Sequence, residues 1–113
     1  MDLHRLAEER SLAYHLRVAQ LLGEQPEILS VARQRATAWA ESGEHHAPYA
    51  RAWLAILDGG IERIRAALTD DSEHGRALRQ ATPFAGAVDP RERWKIWREV
   101  RERMEQEDQT RKC

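Results

Sequence analysis

The fold class is decided by a helix-start sequence, Asp89-Pro90-Arg91-Glu92, and by the residues that follow it. Aspartate caps the free amide groups at the start of a helix, and proline suits the first helical position. Glutamate in the first turn lies near the positive end of the helix dipole. Apolar residues then recur at helical spacing, at Ile96, Trp97, Val100 and Met104. The pattern predicts a last helix that ends near Asp108, with residues 109–113 as a frayed tail.

The chain before this helix is a series of helical segments separated by Gly and Pro. The spacing of apolar residues and of helix-ending residues places these segments at about 3–22, 26–42, 48–58, 61–68 and 73–80. Gly75 weakens the helix propensity of the last of them. Residues 81–88 are irregular, and no stretch alternates apolar and polar residues as a strand does. We therefore predict an all-α fold, an irregular compact bundle of five to six helices in a single domain over residues 1–108.

The composition is that of one folded domain. The chain has 113 residues, of which 42% are hydrophobic and 33% are charged, and this apolar content is too high for a disordered chain. The chain has 18 basic and 19 acidic residues, which gives a formal net charge of −1. A dedicated nucleic-acid binder usually carries a basic excess. The total charge excludes such an excess, but it does not exclude a local basic face on the surface.

Cysteine content and hydropathy indicate the cellular compartment of the protein. The single cysteine is Cys113, so no intrachain disulfide can form. Residues 1–5 lack the apolar core of a signal peptide, and the longest apolar run, 52–57, is far shorter than the roughly 20 residues that cross a bilayer. We expect a cytoplasmic protein that does not associate with membranes.

The polar residues do not form a recognisable catalytic or metal-binding motif. The histidines are scattered, apart from His45 and His46, which lie next to each other in a loop where neighbouring side chains point apart. His15 falls beside the apolar stripe of the first helix and is expected to be partly buried and hydrogen-bonded. Asp70-Asp71 precede a helix and are explained by capping. We predict no enzymatic activity, no metal and no cofactor; a small-ligand enzyme would need a polar pocket around His15 or His74.

The last helix combines aromatic and arginine residues. Trp94 and Trp97 are three residues apart, so both project to roughly one side of the helix, and Trp97 lies nearer the apolar stripe. Trp97 is expected in the core, whereas Trp94 is open to either interpretation. Pairs such as Arg98–Glu102 and Glu99–Arg103 fit surface ion pairing better than contact with DNA. Tryptophan and arginine are enriched at protein interfaces, so this segment is the predicted partner-binding surface.

The segment also resembles a known family. The stretch Leu78-Arg79-Gln80-Ala81-Thr82-Pro83-Phe84-Ala85-Gly86, followed by the helix start at 89–96, is similar to a small bacterial all-helical family with an LRQSSPFAG-like loop. Here Ala81-Thr82 stand in place of the two serines. The family is associated with toxin–antitoxin-type gene pairs, as the antitoxin-like or accessory member. The resemblance implies a cognate protein as the partner.

The leading hypothesis is a non-catalytic protein-binding module, antitoxin-like, that binds a cognate protein. Its predicted contact residues are Phe84, Arg91, Arg93, Trp94 and Arg98. The alternative is a helix-turn-helix DNA-binding regulator, with the last helix or the helix after Pro48 as the reading helix. Homodimerisation through the tryptophan-bearing surface also stays open.

Overall fold

A computed structural model describes residues 1–43 and 47–112 of the chain. The described residues form six helices and no strand: α1 (Leu3–Leu21), α2 (Glu27–Ser42), α3 (Ala47–Leu57), α4 (Ile61–Leu68), α5 (Glu73–Gln80) and α6 (Pro90–Lys112). The prediction of an all-α compact bundle is confirmed. The predicted loop pair His45 and His46 lies outside the described residues, as does Cys113. Of the helices described, none is both long enough and apolar enough to cross a membrane.

Short polar side chains start three of the helices as the sequence indicates. The Asp2 carboxylate accepts hydrogen bonds from the amides of His4 and Arg5 at 3.0 and 3.2 Å. The Ser72 hydroxyl accepts one from the amide of Gly75 at 3.2 Å. The Asp89 carboxylate accepts one from the amide of Arg91 at 2.8 Å. These contacts satisfy amide groups that have no partner inside a helix, and they fix where each helix begins.

The end of α6 differs from the prediction. The helix runs to Lys112 rather than ending near Asp108, so the expected frayed tail is helical over residues 109–112. No glycine or proline interrupts this segment, and its basic residues lie at the negative end of the helix dipole. The Thr110 hydroxyl also donates to the carbonyl of Gln106 at 3.0 Å.

Trp53 and Phe84 lie at the centre of the main core. Both side chains are almost fully buried, and their rings meet edge to face with centroids 5.5 Å apart. The Trp53 indole nitrogen donates to the carbonyl of Leu78 at 3.0 Å, which ties α3 to α5. Residues from α1 to α5 and from the loop before α6 complete this core. A smaller cluster joins α1 to α6 and contains Leu6, Val100 and Met104.

Gly75 has a packing role in addition to its effect on helix propensity. It is buried in α5, and a Cβ atom there would overlap the backbone and side chain of Asp70. The glycine therefore lets the turn before α5 approach the helix closely, an advantage that offsets its low helix propensity.

The two longest helices, α1 and α6, lie antiparallel. Arg5 pairs with Glu107 at 3.0 Å, Arg103 pairs with Glu9 at 3.3 Å, and Arg17 pairs with Glu92. The guanidinium of Arg10 also donates to the carbonyl of Trp97. One side of α6 is thereby fixed against α1, and its opposite side is exposed.

Candidate functional site

The loop before α6 turns its aromatic residue inward. Phe84 is 1% exposed, and its backbone is held by the Tyr14 hydroxyl, which donates to the Phe84 carbonyl at 2.7 Å. The Phe84 amide in turn donates to the Thr82 hydroxyl at 3.0 Å, and the guanidinium of Arg35 donates to the carbonyl of Ala85. The prediction that Phe84 contacts a partner is therefore wrong, because the ring packs on Trp53 in the core.

His15 connects α1 to the same loop. It is 2% exposed; its Nδ1 lies 2.7 Å from the carbonyl of Ser11 and its Nε2 lies 2.8 Å from the Thr82 hydroxyl. A carbonyl can only accept, so Nδ1 carries the proton and Nε2 accepts from Thr82. Burial lowers the pKa of His15 to about 4; the hydrogen bond to Ser11 opposes this change and the charge of Arg79 adds to it. His15 is a neutral structural residue whose two nitrogens are both occupied.

Histidines and carboxylates do not form a metal-binding cluster in the described residues. Within 1–43 and 47–112, no group of three or more His, Cys, Asp or Glu side chains could hold a metal ion. His74, the other histidine considered for a ligand pocket, is exposed on α5. The Asp70 carboxylate accepts from the amide of Ser72 at 2.9 Å, and this hydrogen bond lowers the pKa of Asp70. Asp70 therefore stabilises the turn before α5, whereas the residue that caps this helix is Ser72 and not the predicted Asp70-Asp71 pair.

The two tryptophans of α6 have different environments. Trp97 packs against the main core and meets Tyr14 edge to face, with centroids 6.1 Å apart. The guanidinium of Arg10 lies 5.9 Å from the Trp97 ring. Trp94 is 66% exposed, and it is the one tryptophan of four on the open surface. The open question about Trp94 is thereby answered: its side chain is available to a partner.

Arginines without an ion pair surround Trp94. Arg91, Arg93 and Arg98 are exposed, and none of the three side chains has an ion pair with another described residue. Arg91 and Arg98 are three residues before and four residues after Trp94, so they share its face of α6. Arg93 lies about 100° further round the helix and borders that face. We call Arg91, Arg93, Trp94 and Arg98 the Trp94 surface.

Three other cations of α6 are paired within the chain, and of the described ones Arg111, near the end of the helix, is also without an ion pair. Lys95 lies 4.0 Å from Glu99, and Arg101 lies 3.0 Å from Glu105. Arg103 pairs with Glu9 of α1 instead of with Glu99, and the expected Arg98–Glu102 pair is not formed. Unpaired positive charge on α6 is consequently concentrated around Trp94.

The burial of Arg79 was not predicted from the sequence. Arg79 is 3% exposed in α5, although charged residues are rarely buried without a partner. Its signal in the sequence is Gly75, four residues earlier and hence on the same helix face. A glycine there indicates a face that is closely packed.

Comparison of the chain with protein-family models, with curated proteins and with solved structures gives no match. The geometry of the chain's own residues therefore has to indicate its function. Within that geometry, the Trp94 surface is the arrangement best suited to contact another macromolecule.

The positive field around Trp94 can be measured by fluorescence quenching. Iodide, an anion, is expected to quench the tryptophan emission more strongly than caesium, because Arg91 and Arg98 attract anions to Trp94. The Trp94→Phe variant should lose most of the iodide-quenchable emission, since Trp53 is buried and Trp39 and Trp97 are partly buried. Neutral acrylamide is the control: Arg91→Gln/Arg98→Gln should reduce quenching by iodide and leave quenching by acrylamide unchanged. Equal quenching by iodide and caesium would contradict the expected field.

Proposed function

We propose that this chain is a non-catalytic protein-binding module that binds a cognate protein through the Trp94 surface. The observation that carries the proposal is a 66% exposed tryptophan with unpaired arginines on its own helix face. Tryptophan and arginine contribute most of the binding free energy at many interfaces. Because α6 is already fixed against α1, little conformational entropy is lost when a partner orders this surface.

The charges define the chemistry of the partner. An indole ring with guanidinium groups on either side matches an apolar pocket bordered by Asp and Glu side chains. Carboxylates can accept two parallel hydrogen bonds from each arginine, and complementary charge accelerates association. The expected partner is therefore a protein with an acidic patch around an apolar pocket. The antitoxin-like resemblance suggests that binding masks the function of that partner.

The DNA-binding alternative has less to support it. The helix after Pro48, α3, has Arg51 as its one basic residue and buries Ala50, Trp53 and Leu57. It presents no basic face to a DNA groove. Helix α6 carries unpaired arginines, but acidic residues follow them along the same helix. Binding to DNA is thus treated as an outcome that the experiment must distinguish.

Homodimerisation through the Trp94 surface is also disfavoured by charge. In a two-fold symmetric dimer the same surface faces itself, so the unpaired arginines of both copies would be brought together. Like charges across an interface destabilise it. A partner of opposite charge avoids this repulsion.

Selection from a random peptide library displayed on phage tests the proposal directly. The immobilised chain is expected to enrich peptides that combine Asp or Glu with an aromatic or large aliphatic residue. A synthetic peptide of the enriched sequence should bind the chain in isothermal titration calorimetry. Trp94→Ala should weaken that binding by about 30-fold, which corresponds to about 2 kcal/mol at an interface hot spot. Added salt should weaken it further, because charge complementarity contributes.

Leu16→Ala is the matched control. Leu16 is 45% exposed and lies in the groove between α1 and α6, so its loss removes exposed apolar surface away from the Trp94 surface. It should leave peptide binding unchanged. Enrichment of neutral or basic peptides would contradict the proposal, as would equal binding by the Trp94→Ala variant. Salt-sensitive retention of duplex DNA that Trp94→Ala abolishes would replace the proposal with the DNA-binding alternative.

A further inference from the structure

A buried guanidinium without a counter-ion lies at the junction of α1 and α5. Arg79 is 3% exposed, and one of its terminal nitrogens donates to the backbone carbonyl of Asp70. Its Nε is shielded from solvent and has no hydrogen-bond partner among the described residues. No described carboxylate lies within ion-pair distance of the group. A buried charged donor without a hydrogen-bond partner is unfavourable.

A cavity of about 80 Å³ lies beside this guanidinium. Since a water molecule occupies about 30 Å³ in the liquid, the space matches two or three waters or one small ion. The polar residues of its wall are His4, Glu8, Ser11, Arg76, Arg79 and Gln80. His4, Arg76 and Gln80 are exposed, so the cavity can be reached from solvent.

The wall offers more hydrogen-bond donors than acceptors. Its one carboxylate, Glu8, is already 2.9 Å from His4 and 3.9 Å from Arg76. Outside the wall, Asp71 lies 3.4 Å from Arg76, and Asp70 accepts from the amide of Ser72. Apart from the terminal nitrogen that donates to the Asp70 carbonyl, the nitrogens of Arg79 have no hydrogen-bond partner among the described residues. Because Glu8, Asp70 and Asp71 add negative charge nearby, a singly charged ligand fits the site better than a dianion.

We propose that the cavity between α1 and α5 binds a small carboxylate, with Arg79 and Arg76 as its hydrogen-bond donors. The planar guanidinium fork matches the two oxygens of a carboxylate, and a charged hydrogen bond is stronger than a neutral one. The Ser11 hydroxyl and the Gln80 amide lie in the wall as further donors. The site belongs to α1 and α5, so it is separate from the Trp94 surface of α6 and does not depend on the proposed function.

Nuclear magnetic resonance of the arginine side chains tests this site. The Nε–H group of Arg79 is shielded from water, so its proton should exchange slowly enough to be observed. Sodium formate is titrated into the full chain at constant ionic strength, with sodium chloride as the balancing salt. The Nε–H signal of Arg79 is expected to shift and saturate, whereas the signal of exposed Arg51 of α3 should not. Arg79→Lys assigns the signal by removing it, and through-bond correlation assigns it if that variant does not fold.

Arg76→Gln removes the second proposed donor. Since Arg76 is exposed, the variant should fold and should weaken formate binding by about tenfold, the usual effect of losing one charged hydrogen bond. Lys95→Gln, which removes an exposed cation of α6, is the matched control and should leave formate binding unchanged. An Arg79 signal that does not move with formate would overturn the proposal and indicate a cavity that holds only water. A shift produced equally by chloride, or by phosphate at lower concentration than formate, would also overturn it.

Discussion

Replacing Phe84 with alanine is expected to lower the free energy of unfolding by about 3–5 kcal/mol, the usual cost of removing a buried phenylalanine ring. Phe84 is 1% exposed and packs edge to face on Trp53, so the substitution leaves a cavity in the middle of the main core. Domains of this size are stable by about 5–15 kcal/mol, and the loss is therefore a large share of the total. Urea denaturation followed by circular dichroism measures it as a lower midpoint.

Two variants separate the role of Phe84 from that of Trp94. Phe84→Leu keeps most of the apolar volume and should cost much less than Phe84→Ala. Trp94→Ala removes a 66% exposed side chain and should change the free energy of unfolding by no more than about 0.5 kcal/mol. A Phe84→Ala variant as stable as the unmodified chain would show that this ring is not part of the core. A strongly destabilised Trp94→Ala variant would remove Trp94 from the candidate surface.

Helix positions could be predicted from the sequence because their causes are local. The Asp89 cap, the proline after it and the apolar spacing beyond it all lie within one segment, and α6 begins where they indicate. The end of α6 was less predictable, since no glycine or proline marks it. Without such a residue, a helix end depends on small differences in propensity among good helix formers.

The environments of individual side chains depend on distant residues. Phe84 was expected at the surface because it lies in a loop, and loops are usually exposed. Its burial requires Trp53 and the hydroxyl of Tyr14, which is 70 residues away in the chain. Likewise, local spacing suggested an ion pair between Glu99 and Arg103, whereas Arg103 pairs with a residue 94 positions away. Packing between elements that are distant in the sequence decides these contacts, and periodicity within one helix does not contain that information.

Only part of the candidate surface could be predicted from the sequence, because only part of it depends on spacing along a single helix. The sequence predicted that Trp94 and its arginines could form a surface, because their spacing along one helix is local information. It predicted Trp97 in the core because Trp97 lies nearer the apolar stripe, but it left Trp94 open, since the exposure of Trp94 depends on which side of α6 faces α1.

The stability of the protein is expected to fall between pH 6.5 and pH 4 because of His15. The pKa of His15 is about 4 in the folded chain and about 6.5 in an unfolded chain. In this range the unfolded chain binds a proton that the folded chain does not, so lowering the pH favours unfolding. Above pH 6.5 the residue is neutral in both states, and below about pH 4 it is protonated in both. The difference in pKa corresponds to about 3 kcal/mol over the whole range.

Urea unfolding at several pH values measures this slope, and His15→Gln isolates its cause. The glutamine does not titrate, so the variant should be less stable at pH 7 but should lose most of the dependence between pH 6.5 and 4.5. This pH window lies above the range in which Asp70 titrates, because the pKa of Asp70 is lowered from 3.8. His4→Gln and His74→Gln change exposed histidines and should keep the slope. If His15→Gln also keeps the slope, the acid sensitivity belongs to other groups.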